Sequence, residues 1–124
     1  MVYDKSIWFH AASLGEYEQG LPVMEKMKMK YPNHRIVLSF FSPSGYEIRK
    51  NNTVADVTVY LPLDTKKNAK KFIELVRPDM VFFIKYEYWP NYLKELKERQ
   101  IRTFLISGIF RENQLFFKWY GGFY

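Results

Sequence analysis

One carboxylate in this sequence is well placed to move a proton. It is Glu16, which closes the stretch His10-Ala11-Ala12-Ser13-Leu14-Gly15-Glu16. A carboxylate within hydrogen-bond reach of a hydroxyl can take its proton as the oxygen attacks, so Glu16 is a candidate general base. Ser13 and Glu16 also have the spacing of a capping box, with Ser13 as N-cap and Glu16 at the third helical position. Proton transfer and capping are both open uses of the residue. A second carboxylate, Glu87, stands beside a lysine in Lys85-Tyr86-Glu87-Tyr88-Trp89-Pro90-Asn91. One of the two glutamates could act as base and the other as a binder or orienter. Around them, Ser13, Gly15, Ser42, Ser44, Gly45, Asp64, Ser107 and Gly108 are further candidates for binding. Serine and glycine ahead of a helix present N–H groups at its positive end, which suits a phosphate or carboxylate.

Other chemistries are poorly served. There is no G-x-G-x-x-G after the first apolar run and no G-x-x-x-x-G-K-[ST], which argues against dinucleotide binding and phosphate-loop NTPase activity. No G-x-S-x-G elbow is present for a Ser-His-Asp triad. His10 and His34 form no i, i+4 pair and join no carboxylate cluster at ligand spacing, so no metal or cofactor site is expected. His10 lies near the end of a buried strand and reads as a core histidine. With no cysteine, a disulfide scaffold, a thiolate metal site and a thiol nucleophile are all excluded.

The elements that must position these groups alternate. Apolar runs at 6–11, 36–41, 57–61, 80–84 and 103–106 predict five strands, the first buried on both faces. Between them, Tyr17, Leu21, Met24, Met27 and Tyr31 recur at helical spacing over 16–31, with Pro22 inside the span as a kink or as the start of its regular part. A second helix follows Ser42-Pro43-Ser44-Gly45 and holds Tyr46, Ile48 and Arg49. A third is capped by Asp64 or Thr65 and buries Ala69, Phe72, Ile73 and Val76. A fourth starts at Pro90 and carries Tyr92, Leu93 and Leu96. Strands and helices in this order predict one α/β domain with a doubly wound, mostly parallel sheet. The loops leaving the strands' carboxyl ends then converge on one edge, where open α/β sheets bind ligands.

Composition narrows the partners. The 124 residues carry 19 Lys and Arg against 13 Asp and Glu, a net charge of +6 that favours an acidic partner. Aromatic residues make up 19%, more than a small core absorbs, so some belong at a surface that meets ligand, membrane or another domain. Lys66, Lys67, Lys70 and Lys71 oppose the apolar side of their helix as a solvated face. No apolar run is long enough to span a membrane, and no signal-peptide pattern opens the sequence.

The motifs together raise a specific resemblance. Trp8-Phe9-His10-Ala11-Ala12-Ser13-Leu14-Gly15-Glu16, Phe41-Ser42-Pro43-Ser44-Gly45-Tyr46-Glu47, Leu61-Pro62-Leu63-Asp64, Arg77-Pro78-Asp79 and Lys85-Tyr86-Glu87-Tyr88-Trp89-Pro90-Asn91 occur in family order across nearly the whole chain. The sequence resembles the amino-terminal, acceptor domain of the 3-deoxy-D-manno-octulosonic acid (Kdo) transferases. The resemblance implies the Rossmann-like amino-terminal half of a GT-B glycosyltransferase. It implies metal-independent, inverting transfer of Kdo from CMP-Kdo to a lipid A precursor. The donor is held mainly by a carboxyl-terminal domain, which is expected to be absent from 1–124, so the fragment alone is expected to be inactive. Glu16 matches the family's general base and Glu87 a family acidic position. Ser13, Gly15, Ser44, Gly45, Lys85 and Glu87 are expected to line the acceptor site. The parent enzyme is expected at the cytoplasmic face of the bacterial inner membrane, whose surface is a further partner, with the fragment itself soluble.

One segment departs from the pattern. Many members follow the fifth strand with Asn-Ala-Arg-Leu-Ser, where this chain has Ser107-Gly108-Ile109-Phe110-Arg111, so a role of that arginine does not carry over to Ile109. A flavodoxin-like phosphate- or nucleotide-binding module without transfer chemistry is the alternative, and tight binding of a free nucleotide would favour it. A basic nucleic-acid-binding domain fits less well, because the aromatics fall in strands and near the carboxyl terminus instead of forming a stacking platform.

Overall fold

The computed structural model describes residues 5–40, 54–84 and 89–106 and the backbone of 117–119. Its elements, in chain order, are β1 (Ser6–His10), α1 (Leu14–Lys30), β2 (Arg35–Phe40), β3 (Val57–Tyr60), α2 (Lys66–Val76), β4 (Pro78–Ile84), α3 (Pro90–Glu98), β5 (Arg102–Ile106) and β6 (Phe117–Trp119). The six described strands form one sheet in the order β3-β2-β1-β4-β5-β6. Every pairing is parallel except β5 with β6. This is the Rossmann-like, doubly wound architecture expected from the sequence.

Alternation along the central strands explains the two layers. Ile7 and Phe9 of β1 face one side of the sheet with Ile36, Leu38, Met80 and Phe82, and meet Tyr17, Val23 and Met24 of α1. Trp8 faces the other side with Val37, Val81 and Phe83, and meets Ala69, Phe72 and Ile73 of α2 and Tyr92 and Leu96 of α3. Each face of β1 thus has its own apolar cover, as a parallel sheet requires. Trp8 packs among aromatic rings, with centroids 4.9 Å from Phe72, 5.5 Å from Phe83 and 5.8 Å from Tyr92.

The chain winds outward through β1, β2 and β3, then crosses back to lay β4 on the other side of β1. The switch point therefore lies between β1 and β4, where His10 is in register with Phe83. Residues leaving these two strands emerge at the crevice in which such sheets bind ligands.

Three local outcomes differ from the sequence expectation or resolve it. α1 runs unbroken through Pro22, which is exposed, and Glu18, whose carbonyl it leaves unmatched, is exposed too. Thr65, not Asp64, caps α2, its Oγ1 accepting the N–H of Asn68 at 3.1 Å. A sixth strand, β6, was not among the five expected. It lies in the aromatic stretch near the carboxyl terminus and pairs antiparallel with β5. The helix expected around Tyr46, Ile48 and Arg49 falls outside the described residues.

Candidate active site

The turn after β1 builds the capping arrangement that its spacing predicted, except that the return bond from Glu16 goes to the residue before the N-cap. Ser13 is the N-cap of α1, and its Oγ accepts the N–H of Glu16 at 3.2 Å. Glu16 reaches back, and its Oε1 accepts the N–H of Ala12 at 2.9 Å. The first N–H groups of a helix have no partner within it; Ser13 satisfies that of Glu16, and the Glu16 carboxylate holds the N–H just before the N-cap. Capping occupies one carboxylate oxygen, and no described residue bonds the other. The half-buried Glu16 is therefore oriented without being used up.

Gly15 is exposed at the same helix end. A Cβ built there would meet only Ser13 Oγ, at 4.0 Å. Nothing in the described fold requires a glycine, which costs about 0.5–1 kcal/mol against alanine inside a helix. What it provides is open approach to the backbone between Ser13 and Glu16. Gly20, one turn deeper, is the contrast: a Cβ there would collide with Cδ1 and Cγ1 of Ile84, the last residue of β4.

His10 is buried, as read from its place in the strand, yet it is not isolated from polar groups. Its Nδ1 lies 2.7 Å from Ser39 Oγ, which also accepts the indole N–H of Trp8 at 2.7 Å. Indole nitrogen can only donate, so the serine hydroxyl accepts from Trp8 and still has a proton and a second lone pair to offer His10 Nδ1. Burial lowers the His10 pKa to about 3, so the ring is neutral at physiological pH. It stands edge-on to Trp89, with centroids 5.7 Å apart, and to Phe83, at 6.2 Å.

Asp64 was a candidate ligand group at the end of β3, and its carboxylate is committed elsewhere. Pro90 opens α3 without an N–H, and the N-cap residue Trp89 gives no side-chain cap. Asp64 supplies one from the neighbouring loop. Its Oδ2 and Oδ1 accept the N–H groups of Asn91 and Tyr92 at 3.4 and 3.2 Å, and its carbonyl accepts the Asn91 side-chain amide at 2.9 Å. The Tyr92 hydroxyl donates to the carbonyl of Pro62 at 2.8 Å, and burial, with Asp64 nearby, pushes its pKa upward. The Leu-Pro-Leu-Asp and Trp-Pro-Asn motifs are thus two halves of one joint.

The structure brings Ser13, Gly15 and Glu16 together. Ser42, Ser44, Gly45, Lys85, Glu87, Ser107 and Gly108 lie outside the described residues. Sequence reasoning passed over Ser39 and the second use of Asp64. A lone serine within the apolar run Ile36-Val37-Leu38-Ser39-Phe40 was the signal for the first. A cleft of about 380 Å³ opens at the opposite, amino-terminal ends of the strands, lined in part by Lys5, Arg77 and Arg99. Arg99 is already paired there with Glu95 at 2.7 Å and Glu74 at 3.2 Å, so the cleft is not part of this site.

Comparison with known proteins bears on the same residues. The model of the family described as 3-deoxy-D-manno-octulosonic-acid transferase (kdotransferase) matches residues 2–122. The 3-deoxy-D-manno-octulosonic acid transferase of Aquifex aeolicus is 36% identical over 87 residues, covering 69% of this chain and 24% of its own length. That of Haemophilus influenzae is 34% identical over 99 residues, covering 78% and 23%. That of Chlamydia trachomatis serovar D is 31% identical over 109 residues, covering 86% and 25%. The chain spans about a quarter of the length of these curated relatives.

Proposed function

The chain belongs to the 3-deoxy-D-manno-octulosonic-acid transferase family, and we propose that it supplies the acceptor side and the general base for inverting transfer of Kdo from CMP-Kdo to a lipid A precursor. The observation that carries this reading is the Glu16 carboxylate at the switch between β1 and β4. One oxygen is fixed by the Ala12 N–H at 2.9 Å and the other is bonded by no described residue. A sugar hydroxyl is a poor nucleophile, and a carboxylate held in one orientation can remove its proton as attack proceeds. The cap and the base are then one device, since Ser13 caps the helix through the Glu16 N–H while the Ala12 N–H aims the Glu16 carboxylate.

The remaining roles are part of the same proposal. Ser13 and Gly15 keep the helix end open to the acceptor, and Ser44, Gly45, Lys85 and Glu87 are assigned to acceptor binding with them. The donor is held mainly by a second domain, and transfer needs that domain as well as these 124 residues.

Surface chemistry supports contact with an anionic membrane. Lys66, Lys67, Lys70 and Lys71 are exposed on α2 together with Leu75, which is 74% exposed, and Leu63 just before the helix is 79% exposed. Charge attraction and shallow apolar burial act together in interfacial attachment. No helix of the described residues is long and apolar enough to cross a membrane. On this reading the transferase works at the cytoplasmic face of the inner membrane. Vesicle co-sedimentation should rise with anionic lipid content, and indifference to it would count against the membrane contact.

The division of labour is tested by incubating the 124-residue chain with CMP-Kdo and lipid A precursor, alone and within a transferase that includes the donor domain. Kdo-bearing product is expected only in the second case. Product from the chain alone would refute the assignment of the donor to another domain. Tight binding of a free nucleotide by the chain alone would favour a nucleotide-binding module.

A further inference from the structure

We propose that Ser39 is a positioning residue for Glu16, holding the last residues of β1 from the neighbouring strand and so fixing the turn from which the carboxylate is aimed. The inference rests on the reading of Glu16 as base. Ser39 is fully buried in the middle of an apolar strand, where a hydroxyl is costly unless it is hydrogen-bonded. Its bonds reach three residues at the end of β1. The carbonyl of Ser39 accepts the N–H of Ala11 at 3.0 Å. Its hydroxyl accepts from Trp8 at 2.7 Å and lies 2.7 Å from His10 Nδ1.

The next peptide N–H after that of Ala11 is the one Glu16 accepts, at 2.9 Å. Two consecutive amides therefore link the base to the sheet, the first bound to Ser39 and the second to Glu16. Alanine would fill most of the same space in β2. What it would lose is the hydroxyl that ties Trp8 and His10, on the α2 and α3 side of the sheet, to the strand end. With those side chains released, the end of β1 and the Ala12 N–H lose that restraint. A base displaced by even about 1 Å can lose much of its effect, because reacting atoms must stay within near-attack distance.

The test is a double-mutant cycle in a transferase that includes this domain, with Ser39→Ala, Glu16→Gln and the pair. Ser39→Ala should lower kcat about tenfold or more and leave KM for donor and acceptor within about twofold. It should lower kcat no further once Glu16→Gln is present. An unchanged kcat overturns the proposal, and so does a loss that multiplies with that of Glu16→Gln, because Ser39 would then act elsewhere. Normal turnover in Glu16→Gln alone would instead remove the base reading, and the Ser39 proposal with it. If Ser39→Ala does not fold, Ser39→Cys carries the same cycle, since a thiol fills the space with a weaker donor and acceptor. A loss of folded protein would lower kcat equally with and without Glu16, which positioning does not. On the 124-residue chain, nitrogen NMR should report the Ser39 hydrogen bond at His10 Nδ1, and Ser39→Ala should shift the Nδ1 resonance more than that of Nε2. An Nδ1 resonance unmoved by Ser39→Ala would overturn the hydrogen-bond arrangement.

Discussion

Asp64 Oδ1 accepts the backbone N–H of Tyr92 at 3.2 Å, across 28 residues of sequence. A loop after β3 thereby caps a helix that follows β4. Helix α3 needs this because Trp89 brings no capping side chain, while the N–H groups of Asn91 and Tyr92 need an acceptor. Replacing Asp64 by alanine strips Asn91 and Tyr92 of their acceptor. The expected cost is about 1–2 kcal/mol, the range for losing an N-cap. Thermal denaturation of the chain should show Asp64→Ala melting several degrees lower and Asp64→Asn recovering most of the difference. Equal melting of wild type and Asp64→Ala would mean that water caps α3 as well as Asp64 does.

Two glycines of α1 should respond in opposite directions. Gly20→Ala places a methyl against buried Ile84, and overpacking of this kind costs about 1–3 kcal/mol. Gly15→Ala meets no obstacle and gains helix propensity, so it should be neutral or stabilising by up to about 1 kcal/mol. Denaturant midpoints of the two variants are the measurement. A stabilising Gly20→Ala would show that α1 does not need its close approach to β4.

Burial of His10 gives the fold a pH dependence with a definite sign. The folded ring binds its proton only near pH 3, against an ordinary value of 6.5. Between those values the unfolded chain holds more protons, so stability is full above about pH 6.5 and falls as pH drops toward 3. The slope from this one group reaches about 1.4 kcal/mol per pH unit. Urea unfolding at pH 7 and pH 5 should show a stability difference that shrinks in His10→Phe. An identical difference in both proteins would mean that His10 is not held neutral by burial.

Much of this architecture was legible because it obeys local rules. Continuous apolar runs marked the parallel strands, and Ser13 with Glu16 announced the helix start that the structure shows. Asp64 was legible only in part. Its type and place before a helix pointed to a cap, but which helix depends on the crossover that brings α3 beside the loop, a tertiary fact with no sequence period. Ser39 looked like an ordinary strand residue, because nothing local says that Trp8 and His10 will point at it from the next strand. Strand β6 escaped because pairing, not propensity, defines three residues in an aromatic stretch. Glu87 was read with Glu16 as part of one site and lies outside the described residues.

The central claim is that the Glu16 carboxylate takes the acceptor's proton, and Glu16→Gln tests it most directly. Glutamine keeps an oxygen that can accept the Ala12 N–H, so the capping box survives and stability should change by no more than about 1 kcal/mol. Ser13→Ala is the control, since it weakens the cap and leaves the carboxylate. Melting temperature and turnover should be measured on the same preparation of a transferase that includes the donor domain. Turnover in Glu16→Gln should fall by about 10²–10⁴, the usual contribution of a positioned base, while the melting temperature holds. Near-normal turnover in the glutamine variant would contradict the claim, leave Glu16 as a cap alone and make Glu87 the next candidate.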